Sequence, residues 1–166
     1  MGVVSVSRPD TTRLSAARLA AVQALYSMEI TGVTATQALD EAHARDGDEG
    51  ELPQDIAKAD ADLLAQLVRG ASAEIAQLDE IIAAGLSSDW TVDRLESILR
   101  AILRVGIWEL KNRLHTPARV VVSEYVDLAR AFYAGTEPNL VNAVLDRLAR
   151  VLRPQEFEPG NGRQAG

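Results

Sequence analysis

The 166-residue chain has no cysteine, which excludes disulfides, a thiolate metal site and a cysteine nucleophile. It also has no apolar run near the roughly 18 residues a membrane span requires. The start, "MGVVSVSRPD", lacks the basic-then-apolar layout of a secretory leader, and Val6 stands where a myristoylation signal wants Ser or Thr. Histidine is almost missing: His43 in "HARD" and His115 in "LHTP" are the only two, and neither has metal-ligand spacing. There is no glycine-rich phosphate loop and no Gly-x-Ser-x-Gly elbow. The acidic stretch from Asp40 to Asp62 lacks the ordered spacing and closing Glu of a calcium loop, so it reads as a solvated face. Together these absences point to a cytoplasmic protein that is not an enzyme, holds no metal or cofactor and enters no membrane.

What is present is helical. Hydrophobic residues make up 47% of the chain, enough for a sizeable core in a single domain. At about 100° per residue, "RLSAARLAAVQALYSMEI" groups Leu14, Ala17, Ala21, Leu25 and Met28 on one side. Arg18 and Glu29 fall close to that stripe. Thr11 or Thr12 can cap this helix and Gly32 ends it. A shorter helix follows from a cap at Thr34 or Thr36. After the polar loop "DGDEGELPQD" the periodicity predicts a long helix from Asp55 to about Ala84, interrupted at Gly70. Further helices are expected from near Thr91 to Asn112, from a Thr116 cap with Pro117 at the first position to about Ala134, and from Thr136 to Pro154. The expected architecture is an all-α bundle of six or seven helices. Residues 1–10 read as a flexible N-terminus, 11–153 as the folded domain, and the Pro- and Gly-rich 154–166 as a disordered tail.

A net charge of −7 argues at first against a nucleic-acid partner. The charge is not evenly spread, however. Residues 1–30 carry +1, 31–98 carry −11, 99–153 carry +4 and the remainder −1. An acidic middle therefore lies between two basic ends.

The segment "LRAILRVGIWELKNR" places Leu99, Ile102, Leu103, Gly106, Ile107 and Leu110 on one face. Arg100, Arg104 and Lys111 lie opposite, with Val105 and Trp108. A basic strip holding an aromatic can bind RNA by phosphate contact and stacking. Alternatively, Val105 and Trp108 pack on further helices and Arg104 meets a buried carboxylate. Glu124, beside the apolar face of Val121, Tyr125, Leu128 and Phe132, is the expected partner of Arg104 or of nearby backbone. At "GTEPNLVN" a helix start can cap through Thr136 or attract an anion, and Glu137 competes for that place.

Three blocks, "ARLAAVQALYSMEI", "AILRVGIWEL" and "VVVSEYVDLARAFY" with "NLVNAVLDRLAR", occur in this order and together resemble the NusB family of bacterial transcription antitermination factors. The resemblance implies two small helical bundles sharing a central helix, and no catalysis. It implies pairing with ribosomal protein NusE, binding of boxA RNA in ribosomal RNA operons, and service in an RNA polymerase antitermination complex. By position it makes Arg18 the arginine ahead of the "QALY" block and places Thr136 to Asn139 in the RNA-contacting loop. The expected RNA-binding residues are therefore Arg8, Arg13, Arg18, Thr136 and Asn139. Family members often carry a denser arginine run than "TTRLSAAR", so weaker, less salt-sensitive RNA binding by the protein alone is expected, with greater dependence on NusE. Tyr133 stands where a glycine is common. A NusB-like domain also precedes some ribosomal RNA methyltransferases, but the length leaves no room for their cofactor domain. The other reading is a helical protein-interaction scaffold, with a homodimer left open, that has lost RNA binding.

Overall fold

A computed structural model describes the backbone of residues 7–47 and 58–159 and the side chains of 12–46 and 58–159. Among the described residues there are seven α-helices, two 3-10 turns and no strand. The all-α expectation holds. The chain divides into two compact units, Met1–Ala73 and Glu74–Gly166.

The first unit contains α1 (Ser7–Thr31), α2 (Ala35–Gly47) and α3 (Ala61–Ala73), with α1 packed on both of the others. Helix α1 begins ahead of the expected Thr11 or Thr12 cap. Pro9 is tolerated there because the first-turn amides have no helical partner to lose. Gly32, at φ +76°, ends the helix with its N–H donating to Met28 O at 3.0 Å, a left-handed position that favours glycine. Of the two threonines that could start α2, Thr34 does so. Its Oγ1 accepts from Gln37 N (3.1 Å) and Gln37 Oε1 accepts from Thr34 N (2.8 Å), a reciprocal capping box.

The core of this unit is Ala17, Ala21, Val22, Ala24 and Leu25 against Ala38, Leu39 and Ala42, with Leu63, Leu64, Leu67, Val68 and Ala71. Glu29 is exposed, so it costs the core nothing. The long helix expected from Asp55 is corrected. Residues 55–57 lie outside the described residues, and Asp60 caps α3 by accepting Leu63 N at 2.9 Å. Gly70 remains inside α3, because the buried face of Leu67, Val68 and Ala71 outweighs a glycine penalty of about 1 kcal/mol. The break falls at Glu74 instead, at φ −124° and ψ 26°.

The second unit contains α4 (Ile75–Gly85), α5 (Ser97–Asn112), α6 (Ala118–Phe132) and α7 (Glu137–Leu152). Helix α5 packs on α4, α6 and α7 and buries ten of its sixteen residues, Arg104 and Glu109 among them, so it forms the hub of this unit. Gly106 makes this possible. A Cβ there would stand 3.2 Å from Tyr125 Cγ and 3.3 Å from Leu145 Cδ1. The fully buried carboxylate of this core is Glu109, which accepts the Tyr125 hydroxyl at 2.7 Å and lies 3.6 Å from Arg113 Nε.

The tail expectation is corrected over 154–159. Arg153, 1% exposed, donates to the carbonyls of Leu110 (2.8 Å), Arg113 (2.9 Å) and Thr116, and to Glu156 Oε2 (3.1 Å). Glu156 Oε1 in turn accepts Ala118 N at 2.9 Å. The start of α6 is thus capped from the far end of the chain, and no side-chain cap comes from the residue before the helix. Residues 160–166 lie outside the described residues.

Candidate nucleic-acid interface

In the first unit the residues expected to meet RNA part ways. Arg13 is exposed on α1. Arg18, one face further along the same helix, is only 3% exposed, and it shares the buried wall with Ala17, Ala21 and Val22. Arg8 lies where side chains are outside the described residues.

In the second unit the basic strip of α5 is occupied internally. Arg104 grips Asp79 with two parallel bonds, Nε to Oδ1 and Nη2 to Oδ2, both 2.8 Å, a bidentate geometry suited to guanidinium and carboxylate. Asp79 on α4 escaped the sequence reading because nothing local marks which helix α4 meets. Glu124, named as the partner beforehand, is half-buried on α6. Arg100 Nη1 donates to Leu95 O (2.7 Å) and Val92 O (3.2 Å), holding the 3-10 turn Val92–Arg94. Lys111 reaches Gln77 (3.0 Å) and Glu74 (3.4 Å). Val105 is buried and Trp108 half-buried. Packing, not RNA binding, explains this strip.

The start of α7 is different. Helix α6 ends as Tyr133 turns extended (φ −131°, ψ 131°), and "AGTEP" follows, with Pro138 in the first turn of α7 where its missing N–H is not needed. Thr136 precedes the helix. Its backbone O accepts Asn139 N (3.0 Å) and Leu140 N (3.2 Å), while its hydroxyl makes no cap bond. Thr136 and Asn139 are both exposed.

Beside this turn lies a hollow of about 490 Å³ lined by Trp90, Arg94, Leu99, Tyr133, Thr136 and Leu140, with Glu96 and Glu137 at its polar side. Trp90 is 47% exposed, so part of its indole is open to a planar ligand. Tyr133 OH donates to Glu96 Oε2, which fixes the ring against the hollow. Glu137 sits in the first turn of α7, where a carboxylate is stabilised by the helix dipole. Its Oε2 is buried with no hydrogen-bond partner. The carboxylate takes the place an anion would take, so this corner repels phosphate. Trp90 and Arg94 were missed in the sequence; a lone tryptophan in the polar run "SSDWTVDR" was the available signal.

No group of side chains among the described residues could hold a metal ion. His115 Nε2 meets Arg113 Nη2 at 3.2 Å. No helix among the described residues is long and apolar enough to cross a membrane.

Residues 15–150 match the NusB family. The chain is 48% identical over 164 residues to the transcription antitermination protein NusB of Rhodospirillum rubrum, covering 89% of each. Among solved structures it resembles T. maritima NusB, with a TM-score of 0.70 at 24% identity, covering 86% of this chain and 95% of that one. It also resembles a chain in a complex of antitermination factors NusB and NusE with dsRNA, with a TM-score of 0.67 at 24% identity, covering 82% and 96%.

Proposed function

Because this chain belongs to the NusB family, we propose that it is a cytoplasmic transcription antitermination factor. In this reading it pairs with ribosomal protein NusE, binds boxA-type RNA of ribosomal RNA operons, and joins the RNA polymerase antitermination complex. It catalyses no reaction, and residues 11–153 act as one RNA-binding domain. The observation that carries the RNA reading is the hollow at the start of α7, with an open indole beside a tyrosine held by Glu96. Stacking on an exposed aromatic suits any base.

Within this proposal the contacts are Arg8 and Arg13 to phosphate, and Thr136 and Asn139 beside a base held against Trp90. Arg18, being buried, positions α1 and does not itself reach phosphate. We retain Glu124 as a second partner for Arg104 beside its two bonds to Asp79.

Fluorescence anisotropy with boxA-like RNA, with and without NusE, tests the function. Trp90→Ala should weaken binding by about fivefold or more, from a stacking contribution on the order of 1–3 kcal/mol. No binding at low salt even with NusE would reject the RNA role and favour the scaffold reading.

A further inference from the structure

Among the described residues, every arginine of the second unit but one spends its guanidinium N–H groups on another group of that unit. Arg94, Arg100 and Arg147 donate to carbonyls, Arg104, Arg130 and Arg150 to aspartates, Arg153 to a glutamate and carbonyls, and Arg113 meets His115 and lies 3.6 Å from Glu109. The exception is Arg119, exposed on the first turn of α6. It lies over the Phe157 ring, at 5.0 Å from guanidinium carbon to ring centroid, with no hydrogen bond or ion pair among the described residues. The other contact of that ring is Arg150 at 4.8 Å, itself tied to Asp146 at 3.1 Å. The ring is anchored by its neighbour Glu156, which holds Arg153 and Ala118 N.

Stacking holds a guanidinium by its face and leaves its edge of N–H donors to solvent. An edge held this way forms bidentate bonds with less entropy to lose. Next to it lies a hollow of about 260 Å³ in which Val122, Val126 and Phe157 are bordered by Ser123, Asn142, Arg130 and Asp146, the last two paired with Asp127 and Arg150.

We propose that this place docks an acidic segment of a partner protein, a carboxylate on the Arg119 edge and the apolar side chain next to it in the Val122–Val126 hollow. Two features favour a peptide over RNA. The arginine contacts of Phe157 compete with a stacking base, and the carboxylates of Asp127 and Asp146 close by repel a continuous phosphate backbone while tolerating a single acid. Arginine beside an aromatic ring also matches the make-up of protein interfaces. The inference is independent of the RNA reading and stands or falls separately from it.

The test titrates a short synthetic peptide with one Glu-Leu pair in an otherwise neutral Gly/Ser sequence into the isotope-labelled full chain and follows the Arg119 Nε–H and Val122 to Val126 amide resonances. These should shift saturably. The same peptide with Gln for Glu should leave them in place. Arg119→Gln should weaken binding about tenfold or more, as expected for a lost charge-assisted bond. Arg119→Lys, which keeps the charge but loses the fork, should also weaken it, and so should Phe157→Ala, which unstacks Arg119. Dispersed spectra confirm that each variant is folded. Equal binding by Arg119→Lys would overturn the bidentate geometry. Shifts caused by a single-stranded RNA oligomer and not by the peptide would overturn the partner class, and shifts from neither would overturn the site.

Discussion

Glu156 ties two elements together with one carboxylate, accepting Ala118 N through one oxygen and Arg153 through the other. Burial by itself would raise its pKa, but the Ala118 amide and the Arg153 guanidinium outweigh it and hold the group below its ordinary 4.5. A depressed carboxylate stabilises the fold above its unfolded pKa, and that contribution is lost as pH falls through the folded value. The loss therefore begins below about pH 4.5. Glu156→Gln should lower the melting temperature at neutral pH and flatten its decline under acid. Melting curves that fall in parallel for both proteins would remove this account. Arg104 offers a second check at this scale. A double-mutant cycle with Asp79 should give a coupling of about 1–3 kcal/mol, and one with Glu124 decides whether that carboxylate is a partner too. Additive losses for Arg104 and Glu124 would retire the pairing.

At the scale of elements, α5 is legible as a helix from its periodicity, yet its role as a hub comes from what surrounds it. Leu99, Ile102, Leu103, Ile107 and Leu110 are all buried, as their spacing predicts, but Val105 and Arg104 on the opposite side are buried as well. One face was readable because helical period is a local property. The second stood only as one of two readings, because its burial depends on α4, α6 and α7 arriving around it. Gly106 records that arrival. Gly106→Ala should cost about 1–3 kcal/mol by overpacking against Tyr125 and Leu145, where helix propensity alone predicts a gain. Denaturant unfolding gives the sign directly, and a stabilised variant would show that the helices can part to admit a methyl group. Thr34 with Gln37 shows the opposite case: the capping box lies within four residues, so the sequence contains the whole device.

For the whole molecule, a net charge of −7 has to be reconciled with a polyanionic partner. The excess of negative charge is carried by residues 31–98, so the proposed RNA complex would rely for phosphate contacts on a few arginines near the start. Each phosphate contact to a single strand adds about 0.7 to the slope of log affinity against log salt. Arg13→Ala should therefore reduce that slope by about 0.7 and weaken all sequences alike. Arg18→Ala should instead lower the melting temperature and leave the slope unchanged, because Arg18 is buried. A reduced slope for Arg18→Ala would return it to the RNA surface.

By itself the sequence determined the helices, most of their ends, the apolar faces and the family. These follow from period, capping residues and the order of blocks along the chain, all of which act over a few residues. Only the tertiary structure decided what each charge does. Arg18 went inside, Arg104 found Asp79, Arg153 and Glu156 turned an expected tail into a brace, and Glu137 took the place of an anion at the start of α7. A charged side chain is long and takes its partner from whichever backbone or carboxylate the packing of distant helices brings within about 3 Å, and no local pattern encodes that distance.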